Sequence, residues 1–74
     1  MQYAVIIEKG ETSYGAYVPD LPGCIVVGKT REEVEKLIHE AIEFHLEGMA
    51  EDGDHIPEPT SIAINVDVNV PVNA

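Results

Sequence analysis

The groups in this sequence that could do chemistry are a single thiol, Cys24, three imidazoles, His39, His45 and His55, and a surplus of carboxylates. Cys24 ends the stretch Pro19-Asp20-Leu21-Pro22-Gly23-Cys24 and opens the apolar run Ile25-Val26-Val27. A nucleophilic or redox cysteine needs a base within hydrogen-bond reach and a lowered pKa. A cysteine at the entry to an apolar strand reads instead as a small packing residue. His39 and His45 are separated by about 240° around a helix, so they cannot grip one metal ion as an i, i+4 pair would. His45 falls on an apolar stripe and His39 on the wet side, while His55 lies in the connector beyond.

The carboxylates give a similar answer. Glu32, Glu33, Glu35, Glu40, Glu43, Glu47, Glu51 and Asp52 lie along one segment with only Arg31 and Lys36 to offset them. They surround a polar face, whereas metal-assisted hydrolysis needs carboxylates that converge on one point. Two others, Glu8 and Asp67, fall on strand-like segments at parities that do not bring them together. A residual metal-dependent nuclease would have to use that pair. The reading of the residues is of no catalytic, metal or cofactor site. Asp20 is accounted for by its loop: Pro22-Gly23 suit the centre of a type II turn, and an aspartate there can accept backbone N–H groups one or two residues on.

These residues are carried by a short series of elements. Gln2–Glu8 is rich in β-branched residues, Thr12–Val18 alternates aromatic with small residues, and Cys24–Gly28 is a third short run, the breaks between them holding Gly10 and the Pro-Gly turn. Thr30, with Glu33 three residues on, forms a capping box that opens a helix. From there Val34, Leu37, Ile38, Ala41, Ile42, His45, Leu46 and Met49 make one apolar stripe, and Gly53 suits the C′ position that ends it. After Pro57-Glu58-Pro59, the run Ile62–Val70 puts Ile62, Ile64, Val66, Val68 and Val70 on one parity and Ala63, Asn65, Asp67 and Asn69 on the other, the pattern of a strand with one dry face. Pro71 stops it.

The order is βββαβ, an α+β arrangement over one domain, residues 1–74. A meander of three antiparallel strands followed by a right-handed crossover gives the order 3-2-1-4, with strand four parallel to strand one and the helix on one sheet face. Strands one and three are apolar on both parities, so the uncovered face should carry an apolar patch of the kind that marks an interaction site. Ile6 and Val26 are placed there, as the interface of a homodimer or larger homo-oligomer. A chain of 74 residues with one cysteine cannot staple itself, and association is the remaining way to enlarge a marginal core.

Fourteen acidic residues against four basic ones give a formal charge of −10. Such a field repels phosphate backbones and favours cationic partners, so direct nucleic-acid binding is not expected. No segment has the length and apolarity of a membrane span, and the N-terminus has no signal-peptide pattern, which points to a soluble cytoplasmic protein.

Taken together, Tyr14-x-x-Tyr17-Val18-Pro19-Asp20-Leu21-Pro22-Gly23-Cys24, then Gly28-Lys29-Thr30 leading into Arg31-Glu32-Glu33 and a long helix reaching Leu46-Glu47, resemble the HicB family of antitoxins in its small form. The resemblance covers residues 2–70. It implies a degenerate ribonuclease H-like fold that does not cleave RNA but binds and neutralises a small basic HicA-type mRNA interferase toxin. Asp20, Glu43 and Glu47 are the carboxylates placed, by charge, against such a toxin. The sequence stops at Ala74, without the C-terminal segment that many family members use to bind operator DNA, so the resemblance does not extend to transcriptional autoregulation. The alternative from a different class is a free-standing oligomeric binding or scaffold module of the same fold with no toxin partner.

Overall fold

The computed structural model describes residues 1–72. Strands β1 (Ile6–Lys9), β2 (Tyr14–Tyr17) and β3 (Ile25–Gly28) form an antiparallel sheet in the order β1-β2-β3, and helix α1 (Arg31–Glu51) packs on one face of it. In register, Ile7 stands opposite Ala16 and Ala16 opposite Val26, while Ile6, Tyr17 and Ile25 form the neighbouring row. Because side chains alternate between faces, these two rows point to opposite sides of the sheet.

The turn between β2 and β3 is built as its residues require. The Cys24 N–H donates to the Leu21 carbonyl at 3.0 Å around Pro22-Gly23, with Gly23 at φ 85°, a conformation that glycine adopts without a Cβ penalty. Two further bonds, Leu21 N–H to the Val18 carbonyl and Val18 N–H to the Cys24 carbonyl, fold the loop so that Leu21 points inward and is fully buried.

α1 starts where the capping pattern places it. The Thr30 hydroxyl accepts the Glu33 N–H at 3.1 Å, but the Glu33 carboxylate accepts the Lys29 N–H instead of that of Thr30 itself. Glu33 therefore closes over Gly28, where a Cβ would stand 2.6 Å from a Glu33 carboxylate oxygen and 3.0 Å from a Val34 methyl. At the other end Gly53 (φ 75°) donates to the Ala50 carbonyl and Asp54 to that of Met49, the paired bonds of a Schellman motif.

The core is small: Ala16, Val18, Leu21, Cys24, Val34 and Ile38 are buried, and no polar side chain is buried among the described residues. Tyr3, Val5, Ile7, Val26, Ala41, Ile42 and Leu46 pack around them. Two expectations need correction here. Val26 belongs to the helix-covered face, and the exposed residues of β3 are Ile25 and Val27; the run is apolar on both parities, so alternation could not orient it. Ile6 does lie on the helix-free face.

The second correction concerns Ile62–Val70. This segment joins no strand, so the described sheet has three strands and not four, with β1 and β3 as its two outer edges. The segment is an arm on which Ile62, Ile64, Val66, Val68 and Val70 are each 68–86% exposed. Its effect on shape is large: the radius of gyration is 15.3 Å and the longest extent 55 Å, where a compact chain of this length would have a radius of about 11 Å. Period-two alternation reports that a segment suits a pleated, half-dry surface; it does not say which sheet edge supplies that surface.

Candidate functional site

Cys24 is buried at the start of β3, and burial pushes its thiol pKa up, the opposite of what a nucleophile requires. His45 is half-buried on the stripe and His39 is exposed, 4.0 Å from the Glu43 carboxylate on the same helix. No group of three or more His, Cys, Asp or Glu side chains among the described residues is placed to hold a metal ion. No helix among them is long and apolar enough to cross a membrane.

Asp20 has a different task from the one its loop suggested. It makes no local turn bond. One carboxylate oxygen accepts the backbone N–H groups of Thr60 (2.9 Å) and Ser61 (3.0 Å), and the other accepts both their hydroxyls, each at 2.9 Å. Those four bonds hold the carboxyl well below its ordinary 3.8, at about 2, the two backbone donors contributing most. The partners are 40 and 41 residues away in sequence. A second tie lies nearby, where the Tyr3 hydroxyl donates to the Pro57 carbonyl. Together they fix the root of the arm to the end of the sheet. The Thr60-Ser61 pair, with its two hydroxyls directly after Pro59, was the only hint in the sequence of such a receptor, and nothing local named Asp20 as its partner.

Three surfaces remain without a partner. The first is the outer face of α1, where Glu43 and Glu47 lie in the open with Glu40 and Glu51. Beside them Phe44 is 78% exposed. At 100° per residue, Glu40, Glu47 and Glu51 fall within about one quadrant of Phe44, so an aromatic ring stands at the margin of an acidic strip. Phe44 lies off the apolar stripe, and that displacement is its signal in the sequence, since a phenylalanine on a charged helix face has no core to enter. The second surface is the helix-free side of the sheet, with Ile25 and Val27 about two-thirds exposed (64% and 65%) and Ile6 and Tyr17 beside them. The third is the arm together with the unpaired β1 edge.

Such a molecule, with carboxylates spread along a helix and apolar faces left open, has the form of a protein-binding module. Comparison with known proteins identifies a family. A family model described as the HicB-like antitoxin of bacterial toxin-antitoxin systems matches residues 3–70. The chain therefore belongs to the HicB-like antitoxin family. It is 44% identical over 62 residues to a 14.9 kDa protein from the rep-hol intergenic region of Haemophilus phage HP1, a match over 84% of this chain and 47% of the phage protein. It is 40% identical over 67 residues to a UPF0150 protein of Thermoplasma acidophilum, covering 89% of this chain and 97% of that one. It is 33% identical over 61 residues to Antitoxin HicB 2 of Photorhabdus laumondii, over 82% and 44% of the two chains. The chain thus spans about half the length of the phage protein and of Antitoxin HicB 2. Among solved structures it resembles a chain of a HicA3 and HicB3 toxin-antitoxin complex, with a TM-score of 0.68 and 30% identity over 80% of this chain and 70% of that one.

Proposed function

We propose that this chain is a non-catalytic antitoxin that binds and neutralises a small basic HicA-type toxin, using the acidic outer face of α1. The observation that carries the proposal is the exposed Phe44 bordering a strip of carboxylates in a member of the HicB-like family. A desolvated aromatic anchor with a charged rim is the arrangement on which protein interfaces concentrate their energy, and a charge of −10 steers a cationic partner toward it while repelling nucleic acid. Glu43 and Glu47 are the carboxylates assigned to toxin contact. Asp20, placed with them by charge, is committed to the arm root, and we assign it the indirect part of holding that segment. The protein acts in the cytoplasm, as one domain of the ribonuclease H-like class, and as a homo-oligomer.

The test is titration of the chain with any small basic protein encoded beside it. Phe44→Ala should weaken binding by about 2 kcal/mol or more, roughly 30-fold, as at other aromatic anchors. Glu43→Lys with Glu47→Lys should weaken it further and blunt inhibition of the toxin's RNA cleavage. Binding that is unchanged in both variants would remove α1 from the interface. Failure of the wild-type chain to bind any such neighbour would favour the second reading, a free-standing oligomeric module.

A further inference from the structure

The empty slot in the sheet and the arm that would fill it are matched to each other. α1 packs chiefly over β2 and β3, leaving an open groove of about 580 Å³ between it and β1. The groove is floored by Val5, Ile7, Ile38 and Ile42, with Arg31 and His39 at its rim. β1 also presents its unpaired backbone edge there. A strand laid along that edge, with its dry parity turned to the helix, would complete the sheet and cover these side chains.

The arm has the complementary properties. Nine residues long, it places its five apolar side chains on one parity and carries a single charge, Asp67. It carries little of the charge of a strongly acidic chain, so two such chains can meet through it with little repulsion. Its own β1 does not receive it. From the root fixed by Asp20, the arm passes Val5, Ile6 and Ile7 only at Ala63–Asn65, with a cleft of about 480 Å³ between them, and then runs on without a partner.

We propose that two copies exchange arms, the Ile62–Val70 segment of each pairing with the β1 edge of the other and laying Ile64, Val66 and Val68 over the Val5-Ile7-Ile38-Ile42 groove. The strand order 3-2-1-4 is then completed in trans. The exchange is reciprocal and closes on itself, each copy's arm taking up the β1 edge of the other. It deepens the oligomeric part of the function proposed above and does not depend on the toxin.

Sedimentation equilibrium of the full chain should give twice the 8.1 kDa chain mass. Ile64→Asp with Val66→Asp should sediment as a monomer while keeping the helical circular dichroism of α1. In a one-to-one mixture of isotope-labelled and unlabelled wild-type chains, filtered NOEs should connect residues 62–70 of one chain to Val5–Ile7 of the other, a readout that needs no variant to fold. A monomeric wild type overturns both the exchange and the homo-oligomer. A dimer that survives the arm substitutions but dissociates on Ile25→Asp with Val27→Asp, or one whose intermolecular NOEs exclude β1, overturns the exchange alone.

Discussion

At the scale of single residues, Asp20 shows how one carboxylate can organise a distant segment. Its two oxygens satisfy two backbone N–H groups and two hydroxyls of Thr60 and Ser61, a set that only the ionised form can accept in full. The folded-state pKa lies below the ordinary value, so the stabilisation is present above about pH 4 and is lost as pH falls through about 2. The Thr60 and Ser61 amide resonances should accordingly titrate with a midpoint near 2, and Asp20→Asn should abolish that titration and loosen the arm root at neutral pH. A midpoint at the ordinary carboxylate value of 3.8 would show that the bonds do not persist in solution. The loop sequence revealed the turn but not this contact, because Asp20 also fits a local turn bond, and local fit says nothing about a partner 40 residues on.

At the scale of elements, α1 was the most legible part of the chain. Its start, stripe and stop were all written in residue types, because capping and 3.6-residue periodicity are local requirements. The Thr30 hydroxyl accepts one of the helix's orphan N–H groups, that of Glu33, and its loss should cost about 1 kcal/mol. Thr30→Ala should lower the melting temperature by roughly 4–8 °C, as 1 kcal/mol does in a domain of this size, while Thr30→Ser should retain most of the difference. The strands were less legible. Their existence and the Pro22-Gly23 turn followed from composition, but Ile25-Val26-Val27 is apolar throughout, so only its pairing with Ala16 and Tyr17 assigned Val26 to the helix side. Phe44 is the converse case: the helical period that buries Val34 and Ile38 also places Phe44 outside.

For the whole molecule, charge and shape set the terms of association. With fourteen acidic groups against four basic ones, encounter with a cationic partner is driven by a field that salt screens over about 8 Å at physiological ionic strength. Association with a HicA-type toxin of the kind proposed above should therefore slow by at least tenfold between about 50 and 500 mM salt, with a smaller change in the dissociation rate, as stopped-flow mixing would measure. Equal effects on both rates would mean that the carboxylates act only within the formed contact. Self-association should respond in the opposite sense, since salt relieves the repulsion between two chains of charge −10 while leaving apolar burial intact.

The sequence by itself determined the meander, the capped helix, the two glycine-dependent turns, the acidity and the family. Each of these depends on interactions between near neighbours, or on composition, which needs no geometry at all. Only the tertiary structure decided which side of β3 is dry, what Asp20 holds, that Phe44 stands at the edge of an acidic strip, and that the last segment leaves its own sheet. Those are questions of which surface meets which, and alternating apolar residues specify that a face must be covered without specifying the chain that covers it.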